Sequence, residues 1–134
     1  MEGIMIFVVV YLMLFHWIGD FVFQSRYMAE NKSKLLSALF LHTVIYSIVM
    51  AIGIWLLVPI IYFSTMYVIN FVFWKWALAT LLIFIFHTLT DATTSQMTAK
   101  FHARGQIKKF FTTIGFDQWF HLIQILVIFW LVML

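Results

Sequence analysis

The sequence predicts an all-α, polytopic membrane protein, a bundle of four transmembrane helices with no soluble domain. Three observations predict it. Apolar residues make up 65% of the 134-residue chain and charged residues 10%, whereas soluble domains carry roughly 25% charged residues. The apolar residues fall into long runs, each near the ~20 residues that cross a ~30 Å hydrocarbon core. The runs are unbroken rather than alternating, which excludes a β-barrel. Inside lipid only a helix or a closed barrel satisfies every backbone polar group.

The elements follow in order. The first run covers 4–23. It carries no basic lead and no small-x-small cleavage site follows it, so it reads as a retained helix rather than a signal peptide. A polar, basic loop over 24–34 separates it from the second run, 35–58, which Pro59 should end or kink. The segment 60–70 is apolar and aromatic and fits an interfacial piece or an extension of either neighbour. The third run covers 71–90. A second basic loop, 91–115, is expected next; its start could extend the third helix, and Gln106 to Phe111 suits a segment on the membrane surface. The fourth run is 116–134.

Charge sets the orientation. Arg26, Lys32 and Lys34 lie in the first loop, and Lys100, Arg104, Lys108 and Lys109 in the third. Four spans put both loops on one side, and the positive-inside rule makes that side cytoplasmic. Both termini are then non-cytoplasmic, with Tyr62, Tyr67, Trp74 and Trp76 as an aromatic belt at the far interface. A bacterial inner membrane is the expected location. The loop charges are accounted for by topology and could attract anionic lipid headgroups; no nucleic-acid module is visible. A homo-oligomer is compatible with so small a bundle. With no cysteine, disulfides, thiolate chemistry and Cys-based metal sites are excluded.

The polar residues within the apolar runs point to function. Three of the five acidic residues and four of the five histidines lie within or at the ends of these runs. Ionisable groups in lipid are costly, which makes each a candidate functional residue. His16 and Asp20, His87 and Asp91, and Asp117 and His121 are each four residues apart. Residues at i and i+4 share a helix face. His42 adds a fourth histidine on the second helix, with Tyr46 one turn on. The topology places all of them within about 10 Å of one interface, at 1.5 Å rise per residue. A weak internal repeat, HWIGDFVFQS (16–25) against HTLTDATTSQ (87–96), suggests two related halves.

Imidazole and carboxylate together form the ligand set of zinc, iron and manganese sites, and facing helices build such centres in bundles. The expected ligands are His16, Asp20, His42, His87, Asp91, Asp117 and His121, for one or two divalent ions, zinc first. Gln24, Gln118 and Tyr46 are expected as hydrogen-bond partners behind them. Asp20 or Asp117 could act instead as a catalytic general base. An open coordination position would activate water, so a metal-dependent hydrolase of a lipid or phosphoester is one concrete expectation.

Taken together, His16-x3-Asp20-Phe21-x2-Gln24, Met28-Ala-Glu30-Asn-Lys32, His42, His87-x3-Asp91 and Asp117-Gln118-x2-His121 resemble a bacterial and phage membrane-protein family, domain of unknown function 3307. The resemblance runs over nearly the whole chain and implies a polytopic membrane protein sharing these polar residues. The family's usual lysine soon after the third-helix Asp is absent from 92–97, and Lys100 comes later. A looser similarity, to membrane-bound metal-dependent hydrolases, motivates the hydrolase expectation. Two other readings stay open: an ion or proton transporter using the same groups, and a non-enzymatic phage or mobile-element protein whose polar cluster pins the bundle.

Overall fold

A computed structural model of the chain describes residues 2–61 and 69–134. Tyr62 and Tyr67 of the expected aromatic belt, and most of the segment 60–70, lie outside the described residues. The described residues form helices α1 (Glu2–Trp17), α2 (Arg26–Asn31), α3 (Leu36–Ile61), α4 (Ile69–Ala103) and α5 (Ile107–Ile128). Among them, four stretches are long and apolar enough to cross a membrane: Gly3–Val22, Leu36–Ile60, Val72–Ala103 and Ile107–Met133. Their outer faces carry exposed Ile6, Val10, Phe40, Leu81, Trp119 and Leu131. Helices with outward faces this apolar suit a lipid environment.

Local chemistry fixes the element ends. α1 widens into a π-helical turn at Ile18–Val22, where Gly19 lets the chain approach Tyr46; a Cβ there would lie 3.0 Å from the Tyr46 ring. Ser25 caps α2 by accepting a hydrogen bond from the Met28 N–H at 3.3 Å. Pro59 sits in the last turn of α3. α4 stops at a Schellman turn, in which Gly105 takes φ 66°. There the Gln106 N–H donates to the Phe101 carbonyl and the Gly105 N–H to the His102 carbonyl.

The loop expected over 91–115 is therefore corrected. α4 runs on through Asp91 to Ala103, and α5 begins at Ile107. The polar residues of this stretch are part of the bundle: Thr94 and Ser95 are buried, and Thr94 contacts α5 at Asp117. The first loop likewise contains α2.

The interior has two halves. At the end away from the short connections, Val8, Leu12, Met50, Ile54, Ala79, Ile83, Ile125 and Phe129 pack as an apolar core. The other half is polar, and it holds the buried histidines and aspartates.

Candidate metal centre

Helix register brings the polar residues together. α3 presents His42, α4 presents His87 and Asp91, α5 presents Asp117 and His121, and the π-helical turn after α1 presents Asp20; all six are buried. His42 Nε2 lies 3.1 Å from Asp20 Oδ1 and 3.1 Å from Asp91 Oδ2. His87 Nε2 lies 3.3 Å from His42 Nε2, 3.8 Å from Asp20 Oδ1 and 3.9 Å from Asp91 Oδ2. A second group adjoins the first. His121 Nε2 lies 3.2 Å from Asp91 Oδ1 and 3.3 Å from Asp117 Oδ1.

Among the described residues, two donor sets of a kind that could hold a metal ion result: Asp20, His42, His87 and Asp91, and then Asp91, Asp117 and His121. Within each set the donor atoms lie within 4.8 Å of one another. Four ligands arranged tetrahedrally at about 2.0–2.1 Å from an ion stand about 3.3 Å apart. The donor separations in the first set, 3.1 to 3.9 Å, bracket that value. Asp91 belongs to both sets, facing His42 through Oδ2 and His121 through Oδ1.

The surrounding contacts hold these groups in place. Gln118 Nε2 donates to Asp20 Oδ2 at 2.6 Å and to Asp117 Oδ2 at 3.0 Å. Thr94 Oγ1 lies 2.5 Å from Asp117 Oδ1. The Tyr46 ring lies against His87. Among the described residues Gln24 makes no such contact; it lines the adjoining cavity, and its Oε1 has no partner there.

His16 stands apart from both donor sets. Its Nδ1 pairs with the Tyr46 hydroxyl at 2.9 Å and its Nε2 with Gln118 Oε1 at 3.0 Å. The π-helical turn explains this. Its wider i to i+5 hydrogen bonding takes residues four apart out of vertical alignment, so Asp20 turns toward His42 while His16 faces Tyr46. His16 thereby supports Gln118, which in turn grips two carboxylates.

Sequence reasoning assigned Lys32 no role in the site. Its ammonium lies 2.7 Å from Asp91 Oδ2, with 17% of the side chain exposed. Burial works against that charge, but Asp91 and Asp20 outweigh it and hold the amine above the ordinary lysine range. A signal was present: three carboxylates in an apolar bundle require cations, and Lys32 precedes α3 by only a few residues.

The class these features define is a helical, membrane-type bundle with a buried His/Asp cluster that could hold a metal ion. The chain belongs to the family described as Protein of unknown function (DUF3307), whose model matches residues 8–134. No curated protein and no solved structure matches it, so the looser similarity to membrane-bound hydrolases has no counterpart in these comparisons.

Proposed function

We propose that the chain is an integral membrane metalloprotein whose His/Asp cluster binds two divalent ions bridged by Asp91, with zinc the best fit to its ligands. The observation that carries this reading is the pair of donor sets meeting on the two oxygens of one carboxylate. Two-metal sites hold their ions ~3.5–4 Å apart, a spacing that a bridging carboxylate suits. In this reading the cluster sits near the cytoplasmic face of a bacterial inner membrane, which the basic loops support under the positive-inside rule.

The chemistry that follows is hydrolysis of a lipid or phosphoester. The second set offers three protein donors, leaving a position where an ion can bind water and lower its pKa to ~7. Asp20 and Asp117 serve as ligands rather than as a general base, because the Gln118 amide holds the second oxygen of each. Conduction of ions or protons is less well supported. Beneath the cluster the packed side chains are Leu12, Met50, Ile54, Ile83 and Ile125, and apolar packing offers a proton or ion no partner.

Elemental analysis of protein purified in mild detergent without chelators tests the reading, beside Asp91→Asn checked for folding by circular dichroism. About two equivalents of metal in the wild type, lost in the folded variant, is the expected result. Metal absent from the wild type, even after reloading with zinc, iron or manganese, overturns it.

A further inference from the structure

Beside the cluster, at the end of the bundle near α2, is a cavity of about 230 Å³. That is several times the roughly 30 Å³ that one water occupies. Asp20, Asp91 and Asp117 share its wall with Lys32, Ser95 and Gln24. Ser95 is only 8% exposed, yet its hydroxyl has no hydrogen-bond partner among the described residues. A buried hydroxyl left unpaired is costly, and this one lines a space large enough for a ligand.

We propose that this cavity is an oxyanion subsite that takes the phosphate group of a phosphate ester, with Lys32 and Ser95 as its protein donors. The proposal rests on the two-ion reading above. Three carboxylates against one ammonium leave the wall two charges negative, which repels an anion. Two divalent ions reverse it to two charges positive, and bound cations are commonly the largest local charges in a site. The loaded cavity therefore calls for an anion, and a tetrahedral oxyanion can reach both ions at once.

Lys32 links the two states. Without metal its ammonium sits on Asp91 Oδ2, the oxygen that also faces His42. An ion bound to the first donor set takes that oxygen and releases the ammonium. Its three N–H donors then face the cavity it already lines, where lysine serves as a point-charge phosphate binder. Ser95 adds a neutral hydroxyl. Metal loading and anion binding are thus coupled through one side chain.

The test uses zinc-loaded full-length protein in detergent, with zinc content measured on every sample. The probes are inorganic phosphate and a short-chain phosphatidic acid, with short-chain phosphatidylcholine as the zwitterionic control. Zinc-loaded wild type should bind at least one phosphate probe. Lys32→Met should keep its zinc but bind that probe about tenfold more weakly or worse, the loss expected for one charge-assisted hydrogen bond. Lys32→Arg should recover part of the loss, and Ser95→Ala should weaken binding by a smaller factor. Binding of inorganic phosphate supports a subsite for free phosphate esters; binding of phosphatidic acid alone supports a lipid source. Full zinc with neither probe bound overturns the subsite and leaves the metal reading standing, as does wild-type affinity in Lys32→Met. Failure to load zinc overturns both. If Lys32→Met does not fold, Ser95→Ala decides: weakened binding supports the subsite, and unchanged binding overturns it.

Discussion

The ring of Tyr46 lies flat on the ring of His87, with centroids 3.6 Å apart and planes 7° from parallel. Its hydroxyl meets His16 Nδ1 at 2.9 Å. One side chain on α3 thus fixes a histidine of the donor cluster from one direction and the histidine behind Gln118 from another. Tyr46→Ala should cost about 3–5 kcal/mol, as other large aromatic truncations do, and should lower zinc affinity because His87 loses its support. Tyr46→Phe keeps the stack and removes one buried hydrogen bond, for about 1–3 kcal/mol. Unfolding in detergent compares the two, and equal losses would contradict a role for the stack.

Glycine substitutions should separate close packing from open surface. A Cβ at Gly53 would lie 2.5 Å from Phe15 Cδ1 and 2.6 Å from its Cγ, whereas one at Gly115 meets nothing within 4 Å. Gly53→Ala is expected to destabilise by about 1–3 kcal/mol through overpacking, and Gly115→Ala to stay within about 0.5 kcal/mol or to gain slightly from helix propensity. Adding Phe15→Ala to Gly53→Ala should make the two changes non-additive. Simple addition would show that α1 and α3 do not meet there.

Metal stoichiometry should divide along the two donor sets. Asp117→Asn touches the second set alone and should leave about one equivalent. Asp91→Asn removes the shared ligand and should abolish both. His16→Ala should retain nearly all the metal, because His16 bonds Tyr46 and Gln118 rather than an ion. Metal loss in His16→Ala as complete as in Asp91→Asn would place His16 among the ligands after all.

Lys32→Met should destabilise the metal-free protein more than the zinc-loaded protein. In the metal-free state the ammonium balances Asp91 at 2.7 Å, and removing one partner of a largely buried pair costs about 3 kcal/mol. A bound ion takes over that balance. Thermal unfolding of both forms checks this, and identical losses would argue against displacement of Lys32 by metal.

Much of this arrangement was legible in the chain. The pairs His87/Asp91 and Asp117/His121 lie on regular helix, so i, i+4 spacing placed both on shared faces, and their separations are 3.9 and 3.3 Å. His16/Asp20 has the same spacing but a different outcome, because the π-helical turn at Ile18–Val22 breaks the alignment and nothing in the local composition announces it. The stretch after Asp91 read as a loop because it is polar. Its threonines instead satisfy themselves along α4, as Thr93 does toward the Leu89 carbonyl and Thr94 toward the Thr90 carbonyl. The true break was marked by Gly105 alone, which supplies the positive φ that the turn requires. Lys32 stayed hidden because pairing across 59 residues depends on tertiary placement, which helix periodicity does not carry.

The division of the interior into a polar half and an apolar half makes the molecule directional. Its cavity lies at the end near α2, walled in part by Asp20, Asp91 and Asp117, whereas Leu12, Met50, Ile54 and Ile125 pack together in the apolar half. Under the proposed orientation, a membrane-borne ligand that reached this cavity would come from one leaflet and return to it. Chemistry performed there would alter the composition of that leaflet and leave the opposite one unchanged, so the protein would act as a source of bilayer asymmetry without moving a single molecule across.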